Sequence, residues 1–314
     1  MQSIIFMGTP QFSVPVLEGL IDKGYEIKAV VTQPDKKVGR KQKLTKTPAK
    51  IAAEKHNILV YQPVKLSGSN ELEELMNLHA DFIVTAAYGQ FLPTKFLNSV
   101  KIAAVNVHGS LLPKYRGGAP IQYSLLNGDQ ETGITIMEMV KKMDAGDMYA
   151  QKAIKIEKDD TAGSLFEKLS YLGRDLLLET LPKIADNTVV KTAQNPDNVV
   201  FSPNITKSQE KITKEMTAKE ANNLIRALNP DPGAFMMVQG QRLKVWKAEV
   251  LDKKTNLEPG RLVNNKKCFA ISFANKTVLN LLVLQPAGKK RMDVKNFANG
   301  QGSKFKPGDK IVDD

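Results

Sequence analysis

The stretch Ala103-Ala104-Val105-Asn106-Val107-His108-Gly109-Ser110-Leu111-Leu112-Pro113 opens as an apolar run and breaks into a loop of small, apolar and rigid residues. Its first half reads as a strand and its second half as the loop leaving that strand's carboxyl end. Asn106 and His108 are two apart, so both side chains face the same side of the strand. In an open α/β sheet the crevice beyond the strands' carboxyl ends is the usual ligand site. Asp144 follows 36 residues after His108, in the turn Met143-Asp144-Ala145-Gly146-Asp147. A strand-like run before that turn, 134–139, lets it return to the same edge. An amide, an imidazole and a carboxylate can together move an acyl group between two nitrogens. Asn106 donates a hydrogen bond to a developing oxyanion. His108 handles the proton of an attacking amine, and Asp144 orients the imidazole and favours its charged form. The blander reading of His108, a core histidine bonded near a turn, leaves Asn106 and the following loop unexplained. In that loop a flat aromatic ligand can lie against the leucines while backbone groups read its edge.

Outward from this strand, apolar runs recur at 4–7, 27–32, 58–61, 82–87 and 134–139, with helical patterns at 14–23, 47–56 and 70–78. Alternation of this kind predicts an α/β layer fold with a mostly parallel sheet. A longer helix is predicted over 161–185, with Thr161 as its cap and leucines at helical spacing. Asparagine- and proline-rich sequence then breaks the periodicity. Beyond it come a polar helix at 217–228, a Pro/Gly turn, and strand-like runs at 242–251, 268–273 and 277–284, which suit a small β-barrel. The expected organisation is a catalytic domain over 1–189, a linker over 190–205 and a basic barrel domain over 206–314.

The composition, 42% hydrophobic and 25% charged in 314 residues, is that of a globular protein. No apolar stretch is long enough to cross a membrane, and the chain starts directly on a strand-like run rather than a signal peptide. The single cysteine, Cys268, excludes an intrachain disulfide framework and a cysteine-rich zinc site, and its apolar neighbours suggest packing. A cytoplasmic protein without a metal is the expectation.

The net charge of +12 is unevenly placed. Residues 1–189 carry 23 basic and 21 acidic side chains, 190–205 one of each, and 206–314 carry 21 and 11. The last third therefore invites a polyanion. A second basic segment, 35–50, holds Lys36, Lys37, Arg40, Lys41, Lys43, Lys46 and Lys50 against Asp35 alone. It is expected to be a loop at the crevice edge, where seven like charges repel unless a polyanion shares them. Aromatics are sparse in both segments, so phosphate contact is a stronger expectation than base stacking. The first strand-to-helix turn, Gly8-Thr9-Pro10-Gln11-Phe12, has one glycine, which argues against a dinucleotide site, and no Walker A sequence is present.

In order and spacing, Asn106, His108, Ser110-Leu111-Leu112-Pro113 and Asp144 resemble the active-site pattern of the folate-dependent formyltransferases. Three further stretches are similar to the branch of that superfamily that acts on tRNA. They are the opening Phe6-Met7-Gly8-Thr9-Pro10-Gln11-Phe12, the segment Thr32-Gln33-Pro34-Asp35 with its basic continuation to Lys46-Thr47-Pro48, and Arg226-Ala227-Leu228-Asn229-Pro230 in the basic last third. The resemblance implies a Rossmann-like N-terminal domain without a dinucleotide and an OB-like C-terminal barrel. It implies 10-formyltetrahydrofolate as co-substrate, held at Ser110, Leu111, Leu112 and Pro113, and methionyl initiator tRNA as acceptor. Asn106, His108 and Asp144 would be catalytic, no metal would be needed, and the protein would act as a monomer. Arg40, with Lys41 and Lys43, would meet the tRNA, although the segment is richer in lysine than the family pattern and Arg40 is its only arginine.

Three other readings compete. A formyltransferase for a small amine would share the 106–144 core but has no use for a +10 domain. A non-catalytic RNA-binding module explains the charge but not the three polar residues. A dinucleotide oxidoreductase lacks the glycines of the first turn.

Overall fold

The computed structural model describes residues 1–39, 41–265 and 268–313. By contacts the chain forms two units. The first is Met1–Pro120, Glu131–Lys155 and Phe166–Pro203; the second is Ile121–Gln130, Ile156–Leu165 and Asn204–Asp314.

Strands run in chain order β1 (Ser3–Gly8), β2 (Glu26–Val31), β3 (Lys36–Val38), β4 (Lys43–Thr45), β5 (Val60–Tyr61), β6 (Phe82–Ala86), β7 (Ala103–His108), β8 (Glu131–Glu138) and β9 (Met148–Lys155). Helices between and after them are α1 (Ser13–Asp22), α2 (Pro48–Lys55), α3 (Asn70–Asn77), α4 (Thr94–Leu97), α5 (Pro120–Leu126) and α6 (Ala162–Ala185). One seven-stranded sheet has the order β5-β2-β1-β6-β7-β8-β9. Its first five strands are parallel, and β8 and β9 add antiparallel to β7 and to each other. The chain winds from β1 toward β5 and then restarts at β6, so the order reverses between β1 and β6. A crevice forms at such a switch point, beyond the strands' carboxyl ends. There Thr9 donates to the Tyr88 carbonyl at 3.0 Å and Gln33 to the same oxygen at 3.2 Å, tying together the loops after β1, β2 and β6.

The mostly parallel α/β expectation holds. β9 escapes the sequence reading because its residues, Met148 to Lys155, are largely half-buried or exposed and show no sustained apolar run. The basic segment departs from the expected loop: β3 and β4 pair as an antiparallel hairpin, Lys37 opposite Leu44, with Gly39 at φ +72° in the turn. Both strands are fully exposed and mostly polar, so no apolar alternation announces them.

The second unit holds α7 (Ala218–Ala227), then β10 (Phe235–Val238), β11 (Gln241–Leu251), β12 (Leu262–Asn264), β13 (Phe269–Ser272), β14 (Val278–Pro286), β15 (Met292–Asp293) and α8 (Val294–Asn299). Thr217 and Glu220 form a capping box that starts α7, and the Glu220 carboxyl lies below its usual range because the Thr217 backbone N–H and hydroxyl bond it. The strands make an antiparallel sheet, β10-β11-β14-β13-β12, with β15 on β14. Register shifts on β11 on both sides of Lys247 are the bulges that let a long strand bend into a half-barrel. Its core gathers Leu224, Ile225, Val245, Phe269, Leu279 and Phe297. Cys268 is half-buried beside it with its thiol pushed up by burial, in keeping with a packing role. Arg226, from the motif noted in the sequence, reaches the carbonyls of Glu157, Lys158 and Asp160, and pins 156–165 to α7. Among the described residues no helix is long and apolar enough to cross a membrane.

In the first unit's core, Tyr88 is 3% exposed and its hydroxyl has no partner among the described residues. Burial pushes that hydroxyl up to about 12. An unfolded tyrosine ionises near 10, so the folded state keeps a proton that the unfolded state loses. Stability is therefore complete below pH ~10 and falls as pH rises toward ~12. Tyr88→Phe should change stability at neutral pH by less than about 1 kcal/mol, since no hydrogen bond is lost. It should also flatten the alkaline decline, as measured by denaturant titration between pH 8 and 11.

Candidate active site

Strand β7 lies between parallel β6 and antiparallel β8, and registers Asn106 against Thr85 and Met137. The Thr85 hydroxyl donates to Asn106 Oδ1 at 2.7 Å. That bond fixes which way the amide faces. Its Nδ2 group, two donors, is then the half left to act on something else, and Asn106 is half-buried rather than sealed.

His108, two residues on, is 5% exposed and registers against Thr135. Its Nε2 lies 2.9 Å from the Tyr115 carbonyl oxygen. A carbonyl can only accept, so Nε2 carries the hydrogen and the neutral ring's lone pair sits on Nδ1. Nδ1 faces Asp144 Oδ1 at 3.8 Å. That is too long for a direct hydrogen bond, but it is a close charge contact in a site largely shielded from water.

Asp144 is itself tethered. Its backbone is left-handed, φ +47°, and its Oδ2 accepts from the Gly117 N–H at 2.8 Å. Gly117 has φ +125°, and a Cβ there would stand 2.7 Å from the Ser202 carbonyl oxygen. Only glycine meets both demands. Gly146, two residues past Asp144, packs against the Glu138 carbonyl so closely that any Cβ would collide with it. The expected triad is thus one cluster: two members on β7, and the third brought to it by the turn between β8 and β9.

The loop Ser110-Leu111-Leu112-Pro113 has most of its polar groups bonded to Lys114 and to side chains of β8 and β9. Ser110 Oγ donates to Lys114 O at 2.7 Å. Thr135 Oγ1 donates to Ser110 O at 2.7 Å and accepts from Leu112 N–H at 3.1 Å. Gln151 Nε2 donates to Leu112 O at 2.9 Å. Ser110 and Leu112 are buried, while Leu111 and Pro113 are half-buried. An apolar face at Leu111 and Pro113 is therefore what the loop leaves for a ligand. Gly133 on β8 makes room for Leu111, since a Cβ there would lie 2.5 Å from Leu111 Cδ2.

On the basic hairpin Lys41 and Lys43 are exposed, and Arg40 lies outside the described residues. The seven charges are not all free to repel. Lys46 pairs with Glu54 at 2.8 Å and Lys50 with Asp35 at 2.9 Å. Gln62 also bonds Asp35, at 2.7 Å, and these bonds to Gln62 and Lys50 hold the Asp35 carboxyl below the ordinary range. The hairpin therefore rises from a bonded root. Among the described residues no group of three or more His, Cys, Asp or Glu could hold a metal.

Several contributors escaped the sequence reading. Thr85 was findable, since it lies near the end of the strand that must pair with the Asn106 strand. Tyr115 contributes only a backbone oxygen, and Gln194 comes from the expected linker, so neither carries a side-chain pattern that marks it.

The chain has counterparts among known proteins. The formyl transferase family model matches residues 1–181, and the formyl transferase C-terminal domain model matches residues 204–302. The chain belongs to the formyl transferase family. Among its relatives, the methionyl-tRNA formyltransferase of Lactobacillus acidophilus is 74% identical over 313 residues, 100% of each chain. That of Ligilactobacillus salivarius is 55% identical, covering 100% of this chain and 99% of its own. Of solved structures, the N-formyltransferase from Helicobacter canadensis in complex with folinic acid and dTDP-3-aminofucose superposes with TM-score 0.70 at 21% identity, over 91% of this chain and 100% of that one. HypX from Aquifex aeolicus in complex with tetrahydrofolic acid gives 0.65 at 14% identity, over 97% of this chain and 48% of that one. These two likenesses speak to the fold.

Thr85→Val keeps the shape of residue 85 and removes the hydroxyl that orients Asn106. Formyl-transfer kcat should fall about 10-fold or more with the melting temperature nearly unchanged. Full activity in this variant would mean that Asn106 needs no such guide.

Proposed function

We propose that the protein transfers the formyl group of 10-formyltetrahydrofolate to the α-amino group of methionyl initiator tRNA, the reaction that supplies formylated initiator for translation. The observation that carries this reading is the pairing of full-length identity of 74% to a methionyl-tRNA formyltransferase with an Asn106–His108–Asp144 cluster built for acyl transfer between nitrogens.

Bound folate would supply the formyl carbon and an N10 leaving group. The apolar faces of Leu111 and Pro113 fit one side of a flat ring system, with Ser110 and Leu112 holding the loop's shape. The amine attacks the formyl carbon, so it must lose a proton, the carbonyl oxygen gains charge, and N10 must gain a proton as its bond to that carbon breaks. Asn106 Nδ2 donates to the charged oxygen. His108 works through Nδ1, because Nε2 is committed to Tyr115: as a neutral ring Nδ1 accepts a proton, and once protonated it donates to the oxyanion. Asp144 stabilises the imidazolium across 3.8 Å. Lysines 41 and 43, with Arg40, meet the acceptor's phosphates.

We assign residues 1–189 as the catalytic domain, 190–205 as the connection and 206–314 as a basic tRNA-binding domain, in a monomer working in the cytoplasm. The surplus of ten positive charges in the last segment supports its part in this division.

Labelled formyl should pass from 10-formyltetrahydrofolate to initiator methionyl-tRNA and poorly to the elongator; transfer to neither overturns the reading. Asn106→Ala, His108→Ala and Asp144→Ala should each lower kcat by about 10²- to 10³-fold in a protein that still melts cooperatively. Neutralising several lysines after residue 206 should reduce the slope of log affinity against log salt by about 0.7–0.9 for each phosphate left without a lysine. An unchanged slope would remove that domain from the tRNA backbone.

A further inference from the structure

Gln194 lies in the stretch between the two family-model matches, which end at 181 and resume at 204. Its side chain makes four hydrogen bonds, as many as a glutamine amide can. Nε2 donates to the carbonyls of Asp144 at 2.9 Å and Gly146 at 2.8 Å. Oε1 accepts from Arg116 Nε at 3.0 Å and Nη2 at 2.7 Å. Arg116 is itself 5% exposed. It immediately precedes Gly117, whose N–H holds Asp144 Oδ2. The amide thus clips the turn bearing Asp144 to the loop that grips the Asp144 carboxylate.

The rest of 190–203 supports the clip. Thr192 and Met148 exchange backbone bonds of 2.9 Å. Ser202 N–H donates to Arg116 O at 2.8 Å, and Ala119 N–H to Ser202 O at 3.0 Å. Ser202 Oγ donates at 3.0 Å to Tyr115 O, the same oxygen that receives His108 Nε2. One strap of chain therefore touches the supports of both His108 and Asp144.

We infer that Gln194 is a positioning residue for Asp144: it sets the distance and direction from the carboxylate to His108 Nδ1 without touching substrate. The inference rests on the proposed acyl-transfer role of that pair. The Gly117 N–H holds the Asp144 carboxylate and Glu138 N–H bonds Asp147 O at 2.9 Å, but the carbonyls of Asp144 and Gly146, on a turn with a left-handed backbone packed hard against Glu138, are held by Gln194. Strain of this kind persists where surrounding bonds over-determine it.

The test is a double-mutant cycle in the full-length protein. Gln194→Met removes all four bonds at similar volume. Gln194→Glu keeps an acceptor for Arg116 but turns its second carboxylate oxygen toward the two carbonyls, so it breaks the clip on the Asp144 turn alone. Each should lower kcat about 10- to 100-fold, the scale for misplacement of a reacting group, with KM for folate and tRNA within about 2-fold. In an Asp144→Asn background, the same substitutions should cost less than about 2-fold more, because the group they position is already gone. Equal losses in both backgrounds would make Gln194 merely structural and overturn the inference. If Gln194→Met does not fold, Gln194→Glu is read in the same way.

Wild-type protein that formylates no methionyl-tRNA would fail the functional reading but not this one. The clip is then read without any acceptor, from the ring ¹⁵N resonances of His108, one of three histidines. Gln194→Glu should move the Nδ1 resonance toward its position in Asp144→Asn and have no effect in that background. An unmoved Nδ1 resonance would overturn the inference.

Discussion

The site depends on how one carboxylate is held. Asp144 is fixed by the Gly117 N–H on one oxygen and faces His108 Nδ1 with the other. A charge so placed, shielded from water and on an unfavourable backbone, stays only if its surroundings hold it. Gly117 must be glycine to give that N–H and clear Ser202, and Gly146 must be glycine to pass Glu138. The antiparallel addition of β8 places its end, Glu138, level with Val105 rather than with His108, so the turn at 139–147 must fold back along β7 for Asp144 to reach the imidazole, and the sequence expectation that this turn simply leaves at the same edge is corrected.

The second constraint is a backbone oxygen. By accepting from His108 Nε2, Tyr115 O decides which imidazole nitrogen is free. By donating to Asn106 Oδ1, Thr85 decides which end of that amide is free. In both cases a neutral protein group turns a generic polar side chain into a directed one. Catalysis by preorganised donors needs that direction, because nothing then has to reorient as charge develops.

Asn106 and His108 were legible because strand periodicity is rigid: two apart means one face, and the apolar run before them marks a strand end. Asp144 was legible by chemistry and by the strand-like run before its turn. The alternation of apolar runs and helical patterns likewise announced the parallel sheet and α6. The polar hairpin β3–β4 and the half-exposed β9 were silent, since neither buries an apolar face. Gln194 was silent for another reason. Its bond with Arg116 joins residues 78 apart and comes from a turn-rich stretch without periodicity. Pattern reading sees buried faces; it does not see a single amide reaching back across the chain. The basic segment was legible as charge, but which charges are already spent, Lys46 on Glu54 and Lys50 on Asp35, needed the fold.

The central claim is that His108 acts through Nδ1, with Nε2 committed to Tyr115. The most direct measurement is the ¹⁵N spectrum of the His108 ring at a pH where it is neutral. Protonated Nε2 and unprotonated Nδ1 are expected, with Nδ1 changing most when a folate analogue binds. The opposite tautomer, hydrogen on Nδ1 and a bare Nε2, would contradict the account and give the proton transfer to a different atom.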